Sequence, residues 1–282
     1  MLRQRVITAL VLVALLLASL YASSLWPFAG LTLILMAAAG WEWGRLNQAA
    51  PALALAMGAL VAVGGAAAWA AGLAVREPAW LRVAALVLWV VGGALALRQG
   101  PTAWPQLPRT ARWALGLLAI WLAWLALAQA RSVGINFMLS VLCLVWMADV
   151  AAYFGGRAYG RRKLAPTISP GKSWEGVWSG VAGVALLALF WVWLDGRMNT
   201  DGPSLYSRLF QQWGAAGLLA TLALLSGLSV VGDLMESLVK RAAGAKDSSR
   251  LLPGHGGVLD RVDALLPVLP GAMAVAALGG LA

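Results

Sequence analysis

Apolar residues run through this chain in long blocks separated by short polar stretches. Runs such as Val6–Tyr21, Ala52–Val75 and Val181–Leu194 lack the strict alternation of a half-buried strand. They approach or exceed the length of about 20 residues that a helix needs to cross a bilayer. The blocks predict nine membrane-spanning helices, roughly at 6–22, 25–44, 52–75, 79–97, 112–129, 134–154, 174–194, 213–231 and 262–282. The fold class is therefore all-α, a polytopic integral membrane protein whose polar residues gather at one face, the cytoplasmic one in the orientation derived below. A Pro-rich loop at 98–112 divides N-terminal helices (1–111) from a C-terminal region (112–282), where chemistry is to be sought. Residues 195–212 read as an outer loop carrying a short amphipathic helix on the membrane surface.

Composition agrees: 61% of residues are hydrophobic and 11% charged. Charge also sets an orientation. If the N-terminus is inside, 16 of the 21 Lys and Arg lie at cytoplasmic ends and loops, and Arg76, Arg82, Arg131, Arg197 and Arg208 lie outside. Positive charge resists translocation, so this asymmetry puts the N-terminus in the cytoplasm and the C-terminus outside, as an odd number of spans requires. The net charge of +10 is this bias and calls for no nucleic acid. The opening MLRQR and its apolar run resemble a signal peptide, but with every later block also in the membrane an uncleaved first span is the reading adopted. Cys143 is the single cysteine, which excludes an intramolecular disulfide. Trp26, Trp41, Trp43, Trp80, Trp104, Trp174 and Trp213 fall near predicted span ends, as interfacial belts do.

Two polar segments stand out, residues 149–176 and 232–263, both cytoplasmic in this topology. The second holds ten of the protein's 32 charged residues, and all four lysines lie in the two segments together. Asp233 ends the eighth span; Asp260 and Asp263 open the ninth and share a helix face. Converging carboxylates without a Cys or His cluster suit a hard divalent cation, Mg²⁺ or Mn²⁺, held by Asp233 and Asp260. The alternative is that these acids are solvated caps or partners of Arg250 and Arg261. Between them, Lys240, Arg241, Lys246 and Arg250 are placed to hold phosphate oxygens. Gly254, Gly256 and Gly257 let the backbone approach a ligand. Cations around a carboxylate-bound metal are the equipment of phosphoryl or nucleotidyl transfer; cations alone would also bind anionic lipid. His255, the lone histidine, reads as a hydrogen-bond donor to phosphate. In "SPGKSWEG" a P-loop fails because position 166 is proline. Ser169, Lys172 and Ser173 read as contacts for an anionic substrate, or as a plain helix cap. Asp149, at membrane depth, is either functional or paired with Arg157 or Tyr153.

The stretch "SLVKRAAGAKDSSRLLPGHGGVLDRVD" (237–263) resembles the signature of the phosphatidate cytidylyltransferases, or CDP-diacylglycerol synthases. The matching residues are Ser237, Lys240, Arg241, Lys246, Asp247, Pro253, His255, Gly256, Gly257, Asp260, Arg261 and Asp263. The upstream "GRAYGRRKLAPTISPGKSWEG" resembles that family as well, whereas "DVAAY" departs from it after Asp149. The resemblance covers about the C-terminal half. It implies that CTP and phosphatidate give CDP-diacylglycerol and pyrophosphate, with Mg²⁺ as one or two ions or together with a monovalent cation, in a homodimer of the inner membrane. It implies metal binding by Asp233 and Asp260 and catalytic roles for Lys246, Asp247 and Asp263. Substrate contacts follow for Ser169, Lys172, Ser173, Lys240, Arg241, His255, Gly256, Gly257 and Arg261. A CTP-dependent lipid or polyprenol kinase would share this equipment but release CDP. A transporter would spread its charges over several spans.

Overall fold

The computed structural model of the chain describes residues 2–75, 78–278 and 280. Arg76, counted above on the outer side, and positions 279, 281 and 282 of the ninth predicted span lie outside the described residues. The elements are α1 (Leu2–Leu20), α2 (Trp26–Leu46), α3 (Pro51–Ala70), α4 (Ala79–Val87), α5 (Gly93–Gln99), α6 (Arg109–Val133) and α7 (Ile135–Tyr159). There follow β1 (Lys163–Ala165), β2 (Ser169–Ser173), α8 (Trp174–Asp195), α9 (Leu205–Ala242), α10 (Leu259–Val262) and α11 (Leu265–Leu278). A π turn at Leu88–Gly92 joins α4 to α5.

Each predicted apolar block is helical. Among the described residues, seven helices are long and apolar enough to cross a membrane: α3, the α4–α5 unit, α6, α7, α8, α9 and the α10–α11 unit. The chain is an all-α membrane protein with one small hairpin. α1 adds a shorter apolar helix, Val6–Leu20. α2, which ends on Trp41-Glu42-Trp43-Gly44-Arg45, falls outside the seven.

Burial sorts the helices into inner and outer ones. Within the most apolar window, 67% of α6 and 72% of the α10–α11 unit are buried, against 17% of α8 and 22% of the α4–α5 unit. An all-round apolar helix can sit against protein or lipid, and α8 turns Leu186, Leu189, Phe190 and Trp193 outward to lipid. Its other face carries small residues: a Cβ on Gly180 would come within 3.0 Å of the Ala148 carbonyl oxygen. That stripe packs α8 tightly on α7, as small residues do between membrane helices.

α9 differs most from expectation. It breaks at Gly214 (φ 64°, ψ −168°), so residues 205–213 form the short helix anticipated in the outer loop. That helix buries Leu205, Tyr206 and Leu209 in the core rather than resting on the membrane surface. Asp195 fastens it, accepting from Ser204 N at 2.9 Å, Ser207 Oγ at 2.6 Å and Asn136 Nδ2 at 2.8 Å. At its other end α9 continues to Ala242, well beyond the predicted 231. The charged residues there hid an amphipathic helix: Leu234, Leu238 and Val239 are buried while Asp233, Glu236 and Lys240 occupy another face.

Candidate active site

The hairpin forms because Pro166 and Pro170 disfavour helix while Ala165 and Ile168 close a tight turn, Ile168 N donating to Ala165 O at 3.1 Å. Lys163 pairs with Ser173 and Ala165 with Ser169. β2 runs directly into α8, whose N-cap is Ser173, its hydroxyl accepting from Gly176 N at 3.2 Å. This fixes Lys172 one residue before the cap, where its ammonium forms an ion pair with Asp233 of α9. The two polar segments of the sequence thus meet.

Their meeting place is a cavity of about 480 Å³ between α7, α8 and α9, a size usual for small-molecule sites. Asp149, Arg157, Ser169, Lys172, Ser173 and Asp233 line its polar part. Arg157 Nη1 donates to Tyr153 Oη at 3.4 Å, and both border the opening. Asp149 lies within electrostatic range of Lys172 and Asp233, and Asp263 within range of Asp233, Asp149 and Lys240. Gly232 makes this clustering possible. A Cβ there would overlap the Asp263 carbonyl and stand 2.9 Å from Ala264 Cα, so only glycine lets α9 lie against the start of α11.

Beyond α9 the chain turns at Gly244 (φ 67°) and folds back as a loop. Leu252 N donates to Gly256 O at 2.8 Å, closing a turn over Pro253 and Gly254. Two carboxylates hold the loop. Asp260 accepts from Lys240 Nζ at 2.7 Å, Ser248 N at 2.9 Å, Ser248 Oγ at 2.8 Å and Gly257 N at 2.8 Å. Glu42 of α2, fully buried, accepts from Ser249 Oγ at 2.5 Å, Val258 N at 3.0 Å and Leu259 N at 2.7 Å, and shares the single Ser248 hydroxyl proton with Asp260, its own distance to Ser248 Oγ being 3.2 Å. Gly257 leaves room for this: a Cβ on it would collide with Ser248 Oγ and Glu42 Oε1. Lys240 also pairs with Glu236 one turn back on α9.

The structure therefore assembles Ser169, Lys172, Ser173 and Asp233 around the cavity. Lys240 and Asp260 form an adjoining cluster that does not line it. Gly256 and Gly257 pack against Asp260 and Glu42. Arg241 Nε donates to Ile168 O at 3.4 Å, tying α9 to the hairpin. Lys246 and Asp247 are exposed on the loop. Arg261 is exposed and doubly donates to His255 O, at 3.0 and 2.6 Å. Sequence reasoning missed Glu42, whose only signal was its place between two tryptophans in an apolar run. It also missed Ser248, Glu236, Ser226 and Ser229.

Oxygen donors at this end of the bundle suit a hard cation. Among the described residues no three His, Cys, Asp or Glu side chains form a closed cage. Mg²⁺ needs none, since it usually keeps several waters and takes one or two carboxylates plus substrate phosphates. Asp233, which lines the cavity beside Lys172, has the chemistry of one such ligand. Asp260 is a carboxylate of the same kind, but both of its oxygens accept from Lys240, Ser248 and Gly257, so it would take an ion only in exchange for those donors.

Comparison with known proteins agrees with this chemistry. A phosphatidate cytidylyltransferase of Pseudomonas aeruginosa is 39% identical over 281 residues, covering 96% of this chain and 95% of that protein. Proteins of the same name from Haemophilus influenzae and Brucella melitensis are 47% and 45% identical over 142 and 133 residues. These two matches cover 49% and 47% of this chain, and 44% of each relative. The match to the family pattern itself extends over residues 3–278, and the chain belongs to the cytidylyltransferase family.

Proposed function

We infer that this protein is a membrane-embedded nucleotidyltransferase that joins CTP to phosphatidate, forming CDP-diacylglycerol and pyrophosphate for phospholipid synthesis. The observation that carries the reading is the Lys172–Asp233 pair, which joins both polar segments at a cavity in a lipid-embedded bundle. A water-soluble nucleotide and a lipid phosphate can meet only where the polar and apolar phases do.

A phosphatidate oxygen attacks the α-phosphorus of CTP, and the bond from that phosphorus to the oxygen bridging to the β-phosphate breaks, so pyrophosphate leaves with the electron pair. The lipid phosphate is largely dianionic at neutral pH, its second pKa being about 6, so no strong general base is needed. The barrier is one anion approaching another. Lys172 pairs with Asp233, and Lys240 is shared by Glu236 and Asp260; phosphate oxygens give these ammonium groups alternative partners. Arg241, His255 and Arg261 contact the substrates, and Lys246, Asp247 and Asp263 take catalytic roles, as the family resemblance implies. Mg²⁺ held by Asp233 and Asp260, alone, as a pair or with a monovalent cation, would neutralise charge and align the phosphates.

Residues 112–282 form the catalytic region, and helices within 1–111 brace it through Glu42. With α1 and α2 counted, nine spans cross the inner membrane, N-terminus and active site in the cytoplasm; the charge asymmetry of the loops supports that orientation. The working unit is a homodimer, as the family resemblance implies. Incubation of the purified protein with phosphatidate and CTP labelled at either the α- or the γ-phosphate tests the reaction. We expect α-label in lipid and γ-label in pyrophosphate; γ-label in lipid with release of CDP would instead identify a kinase.

A further inference from the structure

α9 turns three polar side chains toward the cavity at helical spacing: Ser226, Ser229 and Asp233. Ser226 and Ser229 are 2% and 1% exposed, and neither hydroxyl has a hydrogen-bond partner among the described residues. Serine and threonine in an apolar helix ordinarily satisfy themselves on a carbonyl one turn back. Other helical hydroxyls here do so: Ser140 on Phe137 O at 2.6 Å, Ser179 on Glu175 O at 2.8 Å and Thr221 on Gly217 O at 2.9 Å. Two such hydroxyls left free on one cavity wall are groups that await a ligand.

Their depth indicates what the ligand is. At 1.5 Å per residue, Ser229 lies about 6 Å and Ser226 about 10 Å from Asp233 along α9, away from its charged end at Lys240 and Arg241. The wall beside them is mostly small and apolar, formed by Ala148, Ala152, Val177, Gly180 and Val230, with Asp149 next to Ala148 as its one acid. Among the described residues no cation lines this deeper part, so it offers no counter-charge to a phosphate. It offers hydrogen-bond donors in an apolar channel, which match neutral oxygens at the head of a pair of acyl chains. With the lipid phosphate at Lys172 and Asp233, the groups several ångströms deeper are the glycerol and its ester carbonyls.

We propose that Ser226 and Ser229 donate hydrogen bonds to the ester carbonyl oxygens of the lipid substrate, making the enzyme selective for diacyl over dialkyl phosphatidate. This rests on the cytidylyltransferase reading above. Site groups built to hydrogen-bond a substrate discriminate against an analogue that lacks the partner.

The test is steady-state kinetics of the full-length protein in detergent with CTP, Mg²⁺ and either diester phosphatidate or a diether analogue with matched chains. The wild type should favour the diester by about tenfold or more in kcat/KM, expressed in the KM for lipid. S226A/S229A should lose about tenfold on the diester, keep its KM for CTP, and bring the diester-to-diether ratio near one. S226A and S229A should each lose part of the preference, and S226T and S229T, which restore a hydroxyl, should recover it; these single variants decide the matter if the double variant does not fold. A wild type that uses both lipids equally, or variants that retain the wild-type ratio, would overturn the proposal. So would variants with an unaltered ratio and a changed dependence on Na⁺ or K⁺, which would assign the hydroxyls to a cation. A wild type that turns over neither lipid refutes the cytidylyltransferase reading itself, and the proposal with it.

Discussion

Replacing Glu42 with alanine removes a fully buried carboxylate that reaches from α2 to the 248–259 stretch. Two of its four donors have other outlets. Ser248 Oγ also bonds Asp260 at 2.8 Å, and Ser249 is only half-buried. The backbone N–H groups of Val258 and Leu259 do not, because both residues are buried and neither N–H has another acceptor among the described residues. An orphaned buried donor costs about 1–3 kcal/mol, so two cost roughly 2–6 kcal/mol. Relief of the desolvation penalty on the buried charge offsets part of this. E42A should therefore lose about 2–5 kcal/mol of stability, a large share of what holds a domain folded. E42Q keeps the shape and one acceptor oxygen and should lose about 1–3 kcal/mol. Thermal unfolding in detergent reads the global effect, and limited proteolysis within 243–258 reads release of the loop. Pyrophosphate release should fall as well, because Ser248 and Gly257, which hold Asp260, sit on that loop. E42A with wild-type melting, loop protection and turnover would refute the claim that α2 braces the site.

K172M, which keeps most of the unbranched stem without the charge, should cut kcat/KM by about a hundredfold or more with little change in melting, measured as CDP-diacylglycerol formed; wild-type kinetics would remove Lys172 from the site. G232A should cost about 1–3 kcal/mol and most of the activity, because the added methyl meets the backbone of Asp263 and Ala264 just before α11; unfolding and turnover measured on one preparation check both parts. Chelation of divalent cations should abolish turnover and added Mg²⁺ or Mn²⁺ restore it, whereas full activity in chelator would contradict the assignment of an ion to the carboxylates. In a C143A background, a membrane-impermeant maleimide applied to intact spheroplasts should label N199C and spare Q106C; the reverse pattern would invert the orientation.

The apolar blocks were legible because a bilayer leaves the backbone little choice but helix, so length and hydropathy alone located every helix core. The end of α9 was not, since a charge run at 233–241 reads as a loop until Leu234, Leu238 and Val239 are seen to pack beneath it. The hairpin at 163–173 was equally hidden, its strands being only three and five residues long and without apolar alternation. In the site, clustering of lysines and acids singled out both polar segments, and their junction at Lys172 and Asp233 follows from tertiary packing. Glu42 escaped notice because its partners are about two hundred residues away in sequence, with hydrogen bonds spanning separations of 206 to 217. Ser226 and Ser229 look like ordinary helix hydroxyls in sequence, and only their missing partners set them apart.

Asp233, paired with Lys172 where the two polar segments meet, is the carboxylate at which the proposed reaction is centred. Pyrophosphate release from CTP, dependent on phosphatidate and Mg²⁺, should be measured for wild type and D233N at equal amounts of folded protein. We expect robust release from the wild type and background release from D233N with unchanged melting. A D233N protein that releases pyrophosphate at the wild-type rate would contradict the placement of the reaction at this carboxylate.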